Sequence, residues 1–407
     1  MSTYVHSHLV TGGTGLVGAA FILELLQTTR DNVVAVVRGG DATDVRARLH
    51  TALLMAANDF NRGELGGDIF ARVCAVRGDI TEQLCGVELS ELPPVSHVWH
   101  CAASLRYEDA HAEEIHRLNV GGTQQVIELT RQLGAQLNYV STCYVAGSRT
   151  GHQFEVLPST PAVANNQYEL SKIAAERLVA DSGLPFRILR PSIVVGHAET
   201  GAVLTFSGYY GFASALLRFA QHVRDHHGDV LDQQPLAFRA DPDSQLNLVP
   251  VDLVARNGVQ VGLRGALGLV FSLSNGESPT MSQVVEVTFQ WAGLPVPRLV
   301  TERSELTGID LILDDAMEFY GRYFTHAKTF DQTNTAIIVG EENLRAPMTS
   351  VRLVELLQWW RNRIAADGRT SFPSKTAFAY QAGQTPDTGQ APHGVLVAQG
   401  ATTVPAV

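Results

Sequence analysis

Short apolar runs recur along the first half of the chain, each followed by a stretch in which apolar residues return at helical spacing. Residues 9–11, 32–37, 71–76, 96–100 and 137–140 are the runs, and residues 19–26 show the helical pattern that follows the first. Strand and helix signals in alternation predict an α/β fold with a doubly wound parallel sheet. Residues 200–217 carry no charge, and two readings fit them: a core helix led by glycines, or a mobile lid over a ligand. Residues 348–366 have helical spacing with apolar positions at 351, 354, 357 and 360, after which the composition shifts to Gly, Pro, Thr, Ala and Gln. Residues 367–407 are therefore expected to form a weakly ordered tail.

The turn between the first strand and the first helix carries the first chemistry. Thr11, Gly12, Gly13, Thr14, Gly15, Leu16, Val17 and Gly18 place three glycines three residues apart where an apolar strand meets a helix. In that context the glycines permit a tight turn, a close approach of backbone to a pyrophosphate and close helix–strand packing, so a dinucleotide site is expected. The second strand runs into Arg38, where an NAD-selective site usually has a carboxylate for the ribose 2′-hydroxyl; a cation suits a 2′-phosphate and hence NADPH. Asp41 is the nearby carboxylate that could serve the hydroxyl instead. Asp79 is placed to accept from an adenine amino group, and the small residues Ala102, Ala103 and Ser104 follow a strand where a flat cofactor needs room.

Composition narrows the class without naming a reaction. The 407 residues are 45% hydrophobic and 17% charged, with a net charge of −11, which fits a globular chain and excludes a basic nucleic-acid surface. Cys74, Cys85, Cys101 and Cys143 lack metal or disulfide spacing, and with no secretory leader before the first strand a reducing cytoplasm is expected. His222 and His226 are four apart, but no Glu stands between them as in a zinc helix, so a solvated face is expected and no metal. The glycines of 200–217 interrupt any membrane span. Nothing in the sequence sets an oligomeric state.

The catalytic candidates lie on the fifth run and the helix pattern beyond it. The run ends in Ser141 and Thr142, and Tyr168 stands four residues before Lys172, on one helix face. An ammonium beside a phenol, together with the charge of an oxidised nicotinamide, would lower the cost of phenolate, so that Tyr168 exchanges a proton with a carbonyl oxygen while Thr142 hydrogen-bonds the same oxygen. Lys172 would also hold the nicotinamide ribose.

With these residues in place, roughly residues 8–350 resemble the extended short-chain dehydrogenase/reductase superfamily. The resemblance rests on the glycine motif, Gly78-Asp79-Ile80, Cys101 to Ser104, Asn119 to Thr123, Tyr168 with Lys172, and residues 189–196. It implies a Rossmann domain over residues 1–196 and a smaller, mostly helical C-terminal substrate lobe over 197–366, with some segments returning to the core. It further implies that Thr142, Tyr168 and Lys172 form the catalytic triad and that Asn119 holds backbone supporting a proton-relay water. Ile80, Pro191, Ser192 and Val194 join the cofactor residues. Residues 139–147, 168–176, 247–254 and 324–335 are similar to the thioester reductase and fatty acyl-CoA reductase branch. That branch implies NADPH-dependent reduction of an acyl thioester, on CoA or a carrier protein, to an aldehyde or on to an alcohol, with ketone or aldehyde reduction or sugar-nucleotide epimerisation as the alternative. Ser141, Tyr144, Tyr209, Tyr210 and Phe212 are the candidate substrate contacts.

Overall fold

The apolar runs pair side by side into one parallel sheet in the computed structural model, which describes residues 6–366 except 159, 161, 229 and 234. Its strands are β1 (Ser7–Thr11), β2 (Asn32–Val37), β3 (Val73–Arg77), β4 (His97–His100), β5 (Gln136–Val140), β6 (Phe186–Pro191) and β7 (Leu269–Leu273). Their order across the sheet is β3, β2, β1, β4, β5, β6, β7. Leu9 of β1 faces Val34 on one side and Val98 on the other, all three fully buried, which is why the runs are apolar at successive positions instead of alternating. The chain winds away from β1 in both directions, so the crevice for a ligand lies at the carboxyl ends of β1 and β4.

Helices cover both faces. They are α1 (Leu16–Thr28), α2 (Ala42–Asp59), α3 (Gly122–Leu133), α4 (Gln167–Asp181), α5 (Tyr209–His226) and α6 (Val251–Arg264). α6 lies on α1 at Gly258, where a Cβ would meet Phe21 Cζ at 2.6 Å, and reaches Trp99 of β4 at Gly262, where the clash would be 2.2 Å. Val126 of α3 and Ala175 and Val179 of α4 share a core cluster with Leu9, Val98, Leu137 and Tyr139.

The chain beyond residue 196 returns to this framework, since β7 completes the sheet and α6 covers α1. Residues up to Arg361 form one compact unit, and the chain from Asn362 onward groups separately. The rest of the second half is mostly helical; among the described residues, three two-stranded parallel pairs also form, of which Ala237–Arg239 with Arg298–Val300 lies within it and Gly151–Gln153 with Lys328–Phe330 ties it to the first half. The expected tail at 367–407 lies outside the described residues.

Of the two readings of 200–217, the core helix is the one that forms, in α5 from Tyr209 onward, while the expectation that Tyr209, Tyr210 and Phe212 touch substrate is corrected, since they are 2%, 1% and 1% exposed. The Tyr209 hydroxyl pairs with Thr288 Oγ1 at 3.0 Å, the Tyr210 hydroxyl accepts from Gly196 N at 2.9 Å, and Phe212 packs edge-on against Phe324. Apolar burial rather than ligand contact accounts for the lack of charge. The helix Ser350–Ala366 forms, but Val351 and Val354 point outward, at 67% and 43% exposure, while Leu353, Leu356, Leu357 and Trp360 are buried. The 353, 356, 357, 360 stripe is the wider apolar face and therefore wins the core.

Candidate active site

The glycine-rich turn has the shape that a pyrophosphate requires. Gly12 has φ of +75°, and a Cβ on it would lie 2.7 Å from Ala102 N, so only glycine can follow Thr11. Gly13 abuts Ile22, and Gly18 abuts the Gly12 carbonyl, where a Cβ would meet the oxygen at 2.2 Å. Gly15 donates its N–H to Gly12 O at 3.0 Å and opens α1 with no side chain capping the helix. The N–H groups of the first turn, beside Thr14, Leu16 and Val17, are thus presented to an anion, as dinucleotide sites do. These residues fit a dinucleotide.

At the adenosine end the Asp41 carboxylate caps α2, with Oδ1 accepting from Thr43 N and Asp44 N at 2.9 Å each. Arg38 is exposed at the end of β2, and two further guanidinium groups converge on the same turn: Arg48 donates to the Arg38 carbonyl and Arg77 to the Gly39 carbonyl. Arg48 and Arg77 come from α2 and β3, so no local motif announced them. Asp79 accepts from Thr81 N and Thr81 Oγ1 at 2.8 and 2.9 Å, and Ile80 packs over Gly122.

Around β5 and α4 the catalytic candidates gather. Asn166 caps α4 by accepting from Glu169 N at 3.0 Å, and α4 packs against the turn Cys143–Ala146 that follows Thr142. Thr142 Oγ1 accepts from Tyr144 N at 3.2 Å, which keeps its own proton free to donate. Lys172 is 2% exposed; its Nζ donates to Val140 O at 2.7 Å and stands 4.3 Å from the Tyr139 ring centroid. Burial lowers this amine to about 7 against the attraction of Glu176. Burial also pushes the half-buried Tyr168 hydroxyl upward, with Glu169 adding to the shift. Desolvation and Glu169 are the causes of that shift, while the Lys172 amine is directed to the Val140 carbonyl.

Asn119 sits in a widened, π-type turn, Arg117–Gly121, of the kind that recurs at functional sites. Its side chain holds Ser104 at both backbone groups, accepting from the N–H at 2.7 Å and donating to the carbonyl at 3.0 Å. Ala102, Ala103 and Ser104 are half-buried at the mouth of the crevice. Pro191 ends β6, and Ser192 Oγ donates to Asn247, whose amide in turn holds Asn275 O at 2.9 Å. Val194 pairs with Val249 in the strand Ile193–Val195. Ser141 Oγ is buried with no hydrogen-bond partner among the described residues.

Tyr144, expected to touch substrate, is buried edge-on to Tyr323 and Phe330 and serves the packing of the 324–335 segment instead. That segment is anchored by a residue the sequence did not single out. Glu155, 3% exposed, accepts from Ser272 N at 2.6 Å, Thr335 Oγ1 at 2.6 Å and Asn334 N, tying the loop before α4 to β7. A cavity of about 440 Å³ opens beside this loop, lined by Cys143, Arg149, Phe154, Arg190 and Phe330, and includes none of Thr142, Tyr168 or Lys172. All four cysteines are free, and the His222 and His226 rings stack at 4.6 Å on the exposed end of α5. Among the described residues no helix is long and apolar enough to cross a membrane.

Residues 10–257, more than half the chain, match the male sterility protein family. The chain belongs to that family. A linear gramicidin synthase of Brevibacillus parabrevis is 27% identical in one of its subunits over 244 residues, covering 56% of this chain and 5% of that protein, so the chain spans a small part of this relative. Sterol demethylase protein B of Methylococcus capsulatus is 27% identical over 75% of this chain and 80% of its own length. The terminal R domain from the myxalamid PKS-NRPS pathway has the same fold, with a TM-score of 0.69 at 22% identity over 92% of this chain and 94% of that one. As a member of the male sterility family, the chain carries an NAD-binding domain over residues 10–257.

Proposed function

We propose that the protein reduces an acyl thioester, held on CoA or on the pantetheine arm of a carrier protein, to an aldehyde, with NADPH as reductant. The reading is carried by one arrangement: Tyr168 and Lys172 one turn apart on α4, packed against the turn that Thr142 opens, at the carboxyl edge of the sheet beside the glycine-rich loop. The match to the male sterility family and the similarity to part of a gramicidin synthase support a thioester as the substrate class.

The bound nicotinamide would supply hydride to the thioester carbonyl carbon. Because burial raises the Tyr168 phenol, it stays protonated near neutral pH and can donate its proton to the carbonyl oxygen. Thr142 Oγ1, already fixed by Tyr144 N, donates to the same oxygen and stabilises its developing charge. Lys172, with its Nζ on the Val140 carbonyl, holds the ribose side of the pocket. Arg38, Arg48 and Arg77 provide the charge that selects a 2′-phosphate. The hemithioacetal then returns its hydroxyl proton to the Tyr168 phenolate as it expels the thiolate, which takes up a proton from solvent, yielding the aldehyde and a thiol; a second NADPH would allow reduction to the alcohol by the same residues. Residues 1–196 would carry the dinucleotide and residues 197–361 most of the acyl side, with β7 and α6 returned to the first.

The similarity to sterol demethylase protein B extends over 80% of that relative, which leaves little of it for a carrier domain. That favours a second reading, reduction of a free ketone or aldehyde on the same groups. NADPH oxidation against a panel of acyl-CoAs, acyl-pantetheines, ketones and aldehydes separates the two. Free thiol released one to one with NADPH consumed at the first stage supports the thioester; consumption with ketones or aldehydes and none with thioesters supports the second reading.

A further inference from the structure

We infer that His100 is a positioning residue that ties the glycine-rich loop to the helix turn carrying Tyr168, an inference that rests on the dinucleotide site and on Tyr168 as proton donor. His100 ends β4 at 1% exposure, and both of its ring nitrogens are engaged: Nδ1 with Thr11 Oγ1 at 2.7 Å and Nε2 with Thr123 Oγ1 at 3.1 Å. Thr123 Oγ1 donates its one proton to Asn119 O at 2.6 Å, so it can only accept from His100. Nε2 therefore carries the hydrogen, and Nδ1 accepts from the Thr11 hydroxyl. Burial and the nearby Lys172 lower the imidazole to about 3, which keeps it in this neutral form.

The connection continues on the other side of Asn119. Its Nδ2 donates to Ser171 Oγ at 2.9 Å, and Ser171 Oγ donates to Tyr168 O at 2.7 Å. Thr11, His100, Thr123, Asn119 and Ser171 are each exposed by 3% or less, so water does not compete for these bonds. One directed series of hydrogen bonds, passing through Asn119 from its carbonyl to its side chain, thus runs from the residue before Gly12 to the carbonyl of Tyr168, joining β1 and β4, which the sheet already pairs, to α3 and α4, which it does not. Ordering of the loop by a ligand is transmitted along it to the first turn of α4.

The test uses adenosine 2′-phosphate-5′-diphosphate, which reaches the loop but lacks the nicotinamide riboside and so cannot touch Tyr168. In the wild-type protein, saturation with this compound should slow amide exchange across residues 167–172 about threefold or more, as expected for a segment whose local opening is coupled to a distant site. Thr123→Val and Ser171→Ala change little volume; each should bind the compound within about twofold of wild type by calorimetry yet lose the slowing. His100→Gln, whose amide can still accept and donate, should keep part of it, whereas His100→Phe should keep none. Equal slowing in the Thr123→Val and Ser171→Ala proteins, or none in a wild-type protein that binds the compound, overturns the coupling. Absence of binding by the wild type would overturn the coupling together with the dinucleotide reading, and the calorimetric titration tells these failures apart.

Discussion

Desolvation acts on Tyr168 and Lys172 in opposite directions, the phenol held protonated and the amine lowered to about 7. Tyr168→Phe should therefore reduce turnover by about 10²–10⁴-fold, the usual worth of a general acid, while cofactor affinity measured by fluorescence titration changes little. Replacing Lys172 by Met gives a pH signature. The unfolded lysine keeps its proton between about 7 and its usual range above 10, whereas the folded one has lost it, so wild-type stability should rise relative to Lys172→Met across that window. Parallel urea midpoints for the two proteins from pH 7 to 10 would contradict the burial of an uncharged amine. At the 2′-phosphate, Arg48→Ala should weaken NADPH by about tenfold or more and NADH far less, since each charge-assisted hydrogen bond is worth about 1.5–3 kcal/mol; equal losses on both cofactors would remove Arg48 from that role. Gly12, Tyr168 and Lys172 were readable because their signal is a spacing along the chain. Arg48, Arg77 and Glu155 were not, because each matters through a partner between 10 and 180 residues away.

Among the elements, the strand-to-helix turn is the most constrained piece. Gly12→Ala would put a side chain on a residue at φ +75° and within 2.7 Å of Ala102 N, so dinucleotide binding should fall by more than about tenfold, because left-handed backbone alone costs about 1–2 kcal/mol. Full binding by this variant in a calorimetric titration would mean that the turn relaxes. The loop carrying Glu155 makes a different prediction: Glu155→Ala leaves Ser272 N buried and Asn334 N part-buried without their acceptor, while the Thr335 hydroxyl keeps only the Ser272 carbonyl, and unfolding in urea should show a loss of about 2–5 kcal/mol, given about 1–3 kcal/mol for each stranded group. Strands β1, β2, β4 and β5 were legible from apolar runs buried on both faces, and the edge strand β3, with Cys74 exposed, from its apolar run alone. The face of the helix Ser350–Ala366 was misjudged because two i, i+3 stripes coexist in its sequence, and only the packed structure shows which of them is covered. The uncharged lead into α5 was ambiguous for the same reason: an apolar lid and an apolar core helix have one composition.

Across the molecule, the alternation of runs and helix patterns specified a doubly wound sheet, and its order from β3 through β1 to β7 follows that plan. The resemblance implied that some segments beyond residue 196 return to the core without saying which; in the structure β7 completes the sheet and α6 covers α1. The region beyond residue 196 is the least legible part, because much of its apolar packing joins residues far apart in sequence, as Phe212 with Phe324. The proposed reaction turns on hydride delivery to a thioester carbonyl, which 4-deuterated NADPH makes visible. With an acyl-pantetheine substrate, the expected products are an aldehyde carrying deuterium on its carbonyl carbon and one equivalent of free thiol, detected by mass spectrometry and thiol titration. Thiol released with unlabelled carboxylic acid, or deuterium transferred only to ketones, would contradict it.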